Sequence, residues 1–516
     1  MTETPPDSSL RRPTLRHYLL LCAIVALWID FSHVHSTLNS DTLLFTIIAR
    51  YEWTPFFWEQ DRIGMFVPLL TTWCPNPLAT LLIQTAISTF MGLALPLLLV
   101  EIVYPRPASR LGVVLANALM LALAPVRVRN NLLFECCYPQ AMFLGCAGLL
   151  ILGNRDRPSW WRYPMGFGLF VLAHWVYLGV SVWLMPLAFW NAVIRPGVGV
   201  SGLRDLVAQR IRFFPGWASM LLLGGAFGLG MWFMTLANEA AGGRIEPTPS
   251  GGLPASEWRY SWINFSNRLD AWPGMMAWKS TVVGLSLIGL FGMISQRCRP
   301  GYSLLASCFV LSIAGGTEFL FMGTREWPVK NEYHFRYILG SIVCVQVILG
   351  LLATAPLCRW AVGSGRWFAF LAAGLILIAA ATVQYGFPSP GTPRADLDEQ
   401  HGAAADEVRA AKVDAIGGDY WTVWPLYLYA GVASSTGNDP PYPIAFRSGI
   451  FRPRWEATHP NGLRVAVPSN SAQERQEFFR AALEQGLSEP IKIATHGRFD
   501  IYSTRPLAIA SATPSR

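Results

Sequence analysis

Residues 77–103 run PLATLLIQTAISTFMGLALPLLLVEIV, without a charge before Glu101. A helix rises 1.5 Å per residue, so this run is long enough to cross a hydrocarbon core of about 30 Å. Runs of similar character lie at 17–33, 111–126, 139–153, 164–177, 179–194, 216–237, 276–295, 302–323, 336–357 and 367–386. Together they predict a mainly α, polytopic membrane helical bundle of about eleven spans. Residues 164–194 form one apolar stretch, which fits two short helices meeting near Gly179 or a single long one.

Composition points the same way. The chain has 516 residues, 52% hydrophobic and 14% charged, with a mean hydropathy of +0.34. Soluble domains carry about 25% charged residues, a gap too wide for one greasy loop to explain. The 21 Trp and 37 Pro suit a bilayer, where Trp sits at the interfaces and Pro is tolerated. A net charge of +8 would raise nucleic acid as a partner in a soluble chain. Here most basic residues stand between apolar runs, where topology demands them, so membrane lipids are the expected contact and nucleic acid is not. The nine Cys have no metal-like spacing; adjacent Cys136 and Cys137, with Cys74, offer at most one disulfide on an oxidising side. No Walker loop, paired CxxC or nucleophile elbow occurs, so ATP-driven transport and serine-hydrolase chemistry lack support.

The run after Arg16 has no small-residue cleavage site and reads as a signal anchor. Basic residues such as Arg11, Arg12, Arg106, Arg110, Arg155 and Arg157 favour a cytoplasmic N-terminus in a multi-pass inner-membrane protein. An odd number of spans then puts the tail on the far side. The apolar runs stop at Gly386, and a Pro-rich linker, Phe387-Pro-Ser-Pro-Gly-Thr-Pro393, follows. The expected division is a transmembrane domain, 1–386, with outer loop 34–76, and an extracytoplasmic α/β domain, 387–516. In the tail the patterning predicts a helix over 396–412 and a strand near 413–419. Further on come a strand over 463–467, an amphipathic helix over 471–486, and strands over 491–495 and 498–503.

Four segments carry candidate chemistry. In the first outer loop, Asn39-Ser-Asp41 opens a helix with Leu43, Leu44, Ile47 and Ile48 on one face, spaced to lie along the membrane surface. Ser40 or Asn39 suits its cap, and Asp41 stands at its N-terminus, either as a working carboxylate or as a cap itself. Trp58-Glu-Gln-Asp-Arg62 follows; Glu59 and Asp61 beside Arg62 are candidate substrate groups, or a structural ion pair. Next, Arg127-Val-Arg129 and Tyr333-His-Phe-Arg-Tyr-Ile-Leu339 bring cations to outer positions, where the positive-inside preference gives no reason for them. Lipid headgroups are the plain alternative for each. His174 and Glu318, inside spans, read as packing groups as readily as functional ones. Last, the aromatic stretch Gly417-Gly-Asp419-Tyr-Trp-Thr-Val-Trp424-Pro425 suits sugar stacking, or packing of the tail on the membrane domain.

An acid after the first span in a long outer loop, about eleven spans with a short helical pair midway, Arg336-Tyr337 opening a late span, and an outer C-terminal domain together resemble the GT-C superfamily of membrane glycosyltransferases. One departure is that Asp41 is followed by Thr42, not by the second acid usual there. The resemblance implies transfer of a sugar from a polyprenyl-phosphate carrier to an envelope glycan, lipid or protein acceptor. Inverting transfer needs a base for the acceptor hydroxyl, which suits Asp41. It also needs cations for the departing lipid phosphate, which suits Arg336 with Tyr337, and Arg127 and Arg129. Glu59, Asp61, Arg62 and His334 complete the candidate substrate-binding set. No cofactor is expected, and the spacings specify no metal ion. A flippase or transporter for a lipid-linked sugar is the rival from another class, although no internal repeat of the transporter kind is present. An O-antigen polymerase or ligase is the enzymatic rival.

Overall fold

The computed structural model describes residues 13–32, 40–58, 63–134, 137–153, 160–191, 214–240, 251–270, 302–357, 365–433 and 440–507. The chain divides into two compact units. One comprises Met1–Ser32, Gln60–Phe66 and Thr85–Pro388, the other His33–Glu59, Val67–Gln84 and Ser389–Arg516.

The first unit is helical. Among the described residues six helices are long and apolar enough to span a bilayer, with cores at Leu15–Ser32, Pro77–Val103, Ala218–Leu236, Leu304–Met322, Arg336–Ala353 and Arg366–Tyr385. A seventh is possible if the bent pair Val126–Leu133 and Tyr138–Gly153 counts as one. The chain is therefore a multi-pass membrane protein. The expected eleven spans are not reached among the described residues: Pro107–Leu123 and Val180–Phe189 are helical and apolar but shorter than the roughly 20 residues a crossing needs. The expected span at 276–295 lies outside the described residues.

Residues 164–194 resolve into two helices, Arg162–Val176 and Val180–Phe189. The break is covered by a stretch of the first outer loop. Ile63 bridges to Tyr177, and the Gly64 N–H donates to the Val176 carbonyl at 3.2 Å. A Cβ at Gly64 would fall 2.3 Å from the Trp175 carbonyl oxygen, so only glycine admits this approach. Helices elsewhere in the unit also meet over small residues. A Cβ on Gly148 would strike Phe170 at 2.7 Å, and one on Gly166 would strike Leu152 at 2.6 Å, the close contact that takes the place of a hydrophobic drive inside lipid. Two buried amides are linked within the bundle: Gln346 donates to Asn117 Oδ1 at 2.6 Å, and Asn117 donates to the Leu93 carbonyl at 2.8 Å.

The second unit is built on a five-stranded sheet of order β2-β1-β3-β5-β4. The strands are β1 Ala415–Gly417, β2 Tyr442–Ile444, β3 Leu463–Pro468, β4 Ile491–His496 and β5 Phe499–Thr504. β1 runs parallel to both β2 and β3, whereas β5 is antiparallel to β3 and β4. Strands β1, β3, β4 and β5 and the helix Ala472–Glu484 lie where the sequence pattern puts them. The expected helix 396–412 begins earlier, at Thr392, and contains a π turn at Asp398–Gly402. The aromatic stretch after β1 is itself a helix, Tyr420–Ala433, with Trp424 wholly buried in this unit.

The helix Ser40–Tyr51 belongs to this second unit and differs from its expected form. Thr42 and Thr46 are buried along with Leu43, Leu44, Ile47 and Ile48, so protein surrounds the helix rather than leaving one face for lipid. Gln84 explains how the polar side is accommodated: it accepts from Thr46 at 2.9 Å and donates to Thr71 at 2.7 Å. Tyr51 lies 5.2 Å from the ring of Tyr427. Ser40 is the first helical residue rather than the cap, and its hydroxyl donates to the Tyr420 carbonyl at 2.8 Å.

Candidate functional site

Asp41 stands in the first turn of that helix, its side chain about one-third exposed at 31%. Its Oδ1 accepts a 2.5 Å hydrogen bond from the Tyr420 hydroxyl. Arg447 Nη1 lies 3.6 Å from the same oxygen and donates to Tyr420 Oη at 3.3 Å. A carboxylate, a phenol and a guanidinium thus converge although 379 positions separate Asp41 from Tyr420.

Each partner is fixed by its own surroundings. Tyr420 opens its helix, and the donors there are satisfied before it: Asp419 Oδ1 accepts from the Trp421 N–H at 3.1 Å, and Glu474 accepts from the Asp419 N–H and the Thr422 hydroxyl. Gly418, at φ +152°, lets Glu474 in, since a Cβ there would meet its Oε2 at 2.4 Å. Arg447 lies in the turn after β2 with φ +68°, a left-handed conformation uncommon outside glycine. Ser448 closes that turn, accepting from the Ala445 N–H and from Gln485 at 2.6 Å. The guanidinium carbon sits 4.9 Å from the ring centres of both Phe57 and Phe446, and 5.6 Å from that of Tyr420. Cation–π contacts of this kind hold a charge in place while water is largely removed. Burial, followed by the Asp41 carboxylate, pushes the Tyr420 phenol well above its usual range against the pull of Arg447. At neutral pH it therefore stays a donor.

In the first unit, Arg336 and Tyr337 lie in a 3₁₀ turn, Phe335–Ile338, directly before the helix Leu339–Leu357. His334 caps this turn, its Nδ1 accepting from the Arg336 N–H at 3.4 Å. Arg336 Nη2 donates to the Tyr337 hydroxyl at 3.1 Å. Tyr337 is buried and meets Tyr138 edge-on at 6.3 Å, and Tyr138 meets Tyr177 at 4.6 Å. The three residues expected to act together at this span's entrance are thus one cluster.

The arginine pair divides. Arg127 is exposed, whereas Arg129 is buried, donates to the Leu121 carbonyl at 2.7 Å and to Gln384, and faces the Tyr385 ring. Its geometry is that of a tie between helix ends. Glu59, Asp61 and Arg62 lie outside the described residues. Glu318 accepts from the N–H groups of Gly340 and Ser341 and from the Ser341 hydroxyl, capping the helix that follows Arg336. His174 is satisfied by the Phe170 carbonyl at 2.7 Å and the Ser181 hydroxyl at 2.6 Å. Cys74 and Cys137 are both buried. Among the described residues no three His, Cys, Asp or Glu groups are placed to hold a metal ion.

Three groups went unread in the sequence. Tyr420 lies within the aromatic stretch singled out there, but nothing in the spacing links it to Asp41. Arg447 has no local signal at all. Asp30, an acid inside the first apolar run, does have one: it is buried and accepts from Thr85.

No protein-family model and no curated protein matches the chain. Among solved structures it is similar to that titled "Crystal Structure of ArnT from Cupriavidus metallidurans in the apo state". The two share 10% identity over 94% of this chain and 97% of that one, with a TM-score of 0.49. A likeness of that degree decides neither chemistry nor substrate.

Proposed function

We propose that this protein is a GT-C-type glycosyltransferase of the inner membrane. It takes a sugar from a polyprenyl-phosphate carrier and passes it to an envelope glycan, lipid or protein at the outer face. The N-terminus is then cytoplasmic and the tail extracytoplasmic. One observation carries the reading: the first acid beyond the first span is a partly exposed carboxylate at a helix N-terminus, held by a phenol and a guanidinium. A group so oriented and still open to water suits a base. Asp41 accepts the acceptor's hydroxyl proton as that oxygen attacks the anomeric carbon. The bond from that carbon to the phosphate oxygen breaks, the sugar inverts, and the bonding pair leaves on the lipid phosphate. Arg336, with the Tyr337 hydroxyl beside it, is assigned to a phosphate, which its paired donors match.

The test uses purified full-length protein in nanodiscs with a panel of radiolabelled polyprenyl-phosphate hexoses and pentoses and an envelope-lipid extract as acceptor. Release of free polyprenyl phosphate with label in the acceptor is expected. Asp41→Asn should lower turnover by about two powers of ten, the scale of a removed acid–base group. Movement of intact donor across a bilayer, without its consumption, would instead establish the flippase.

A further inference from the structure

We infer that Tyr420 and Arg447 are positioning residues for Asp41, so that the C-terminal part of the chain completes the catalytic carboxylate rather than merely covering it. The inference rests on the assignment of Asp41 as the base. Its evidence, however, is separate: the three side chains meet within one compact unit, at 2.5, 3.3 and 3.6 Å.

The arrangement has features that a plain surface ion pair lacks. Exposed pairs gain little because two long side chains must be ordered for a screened attraction. Here the ordering is done beforehand. Arg447 is only 14% exposed, is packed against three aromatic rings, and occupies a left-handed backbone conformation that Ser448 and Gln485 hold closed. Backbone conformations of this kind cost energy and persist where surrounding structure imposes them. Tyr420 is likewise held at a helix start by Asp419, Glu474 and the space over Gly418. Both groups address Oδ1 of Asp41. One hydrogen bond from a fixed phenol and one ion-pair contact from a fixed guanidinium, both on the same oxygen, set the carboxylate's rotation, and in-line proton transfer depends on that angle.

The chemistry assigns different tasks to the two. Tyr420, kept protonated by burial and by the neighbouring carboxylate, supplies a directional bond. Arg447 supplies charge and fixes Tyr420 as well, since one guanidinium nitrogen reaches both oxygens. Loss of the phenol hydroxyl alone should therefore disturb aim while leaving the packing of the ring intact.

The experiment measures release of polyprenyl phosphate from the donor that the wild-type protein consumes, using full-length Tyr420→Phe, Arg447→Met, Arg447→Lys, Asp41→Asn and the double variant Asp41→Asn/Tyr420→Phe. Tyr420→Phe is expected to lower kcat by about 10-fold or more, with KM for the donor and the melting temperature unchanged. Arg447→Lys should recover part of what Arg447→Met loses. In the double variant, Tyr420→Phe should cost nothing beyond Asp41→Asn, because residues that act through one another are not additive. The inference is overturned if Tyr420→Phe keeps wild-type kcat, if its loss adds in full to that of Asp41→Asn, or if the loss tracks the unfolded fraction. Should Tyr420→Phe fail to fold, the Arg447 pair decides by the same three criteria. Failure of the parent reading looks different: either Asp41→Asn turns over normally or the wild type consumes no donor, and both inferences then go.

Discussion

Glu318→Ala should destabilise the membrane domain without direct damage to catalysis. Glu318 is 4% exposed and accepts from the Ser341 N–H at 2.6 Å, the Ser341 hydroxyl at 2.9 Å and the Gly340 N–H at 3.3 Å. These amides begin the helix Leu339–Leu357, and the first turn of a helix has no internal partner for its N–H groups. Alanine removes the acceptor and leaves water excluded. A buried donor stranded in this way costs about 1–3 kcal/mol. The 2.6 Å bond belongs near the top of that range and the 3.3 Å bond near the bottom, so the pair comes to about 3–4 kcal/mol. Ser341 Oγ loses less, because it also donates to the Gly315 carbonyl at 2.8 Å. Glu318→Gln keeps one oxygen acceptor and should lose about half as much. Reversible unfolding in mixed micelles, followed by Trp fluorescence, measures the difference. A Glu318→Ala protein as stable as its parent that has nonetheless lost sugar transfer would refute the capping role and make Glu318 a functional group.

Arg336→Lys keeps the charge but loses the paired donors, so it should weaken binding of polyprenyl phosphate, and Arg336→Ala should weaken it further; unchanged affinity in a folded Arg336→Ala protein removes the phosphate assignment. Asp500 is held below the usual carboxylate range: burial raises it, but Lys492 and Thr495 together outweigh burial. A depressed folded value stabilises the sheet above the unfolded carboxylate's range near 4, and that contribution is lost as pH falls through the folded value. Protection of the β4–β5 amides from hydrogen exchange, taken relative to the intrinsic rate at each pH, should thus fall on acidification in the parent, and less so in Asp500→Asn. Gly148→Val would drive a side chain into Phe170. The helices must then separate, at a cost of about 1–3 kcal/mol, seen as a lower unfolding midpoint in micelles.

Apolar run length made the helices legible, because lipid forbids unpaired backbone and leaves a long greasy segment little choice. The same signal does not fix the count of crossings, of which six or seven are met among the described residues. Residues 107–123 and 180–189 are apolar along their length yet fall short of a full span, and hydropathy does not distinguish a short buried helix from a crossing one. The alternation in 463–468, 491–496 and 499–504 revealed three strands. β2, three residues long, and the helix after β1 left no comparable trace. Asp41 was visible because its place after the first span is a local fact. Its partners were not, since Tyr420 and Arg447 reach it only through tertiary folding. Arg129 illustrates the converse: it has the same outer position as Arg127 in sequence, but burial against Leu121 and Gln384 turns it into a structural tie.

The distance along the chain between Asp41 and Tyr420 also sets a clock. A ribosome adding about 5–20 residues per second needs roughly 20–75 s to pass from one to the other. During that interval the helix Ser40–Tyr51 has emerged but the helix bearing Tyr427, against which Tyr51 stacks, has not been made. Leu43, Leu44, Ile47 and Ile48 must meanwhile be sheltered by lipid or by a chaperone. A nascent chain cut short anywhere before residue 420 carries Asp41 without Tyr420 or Arg447, so under the proposed assignment incomplete products lack the two groups that aim the carboxylate.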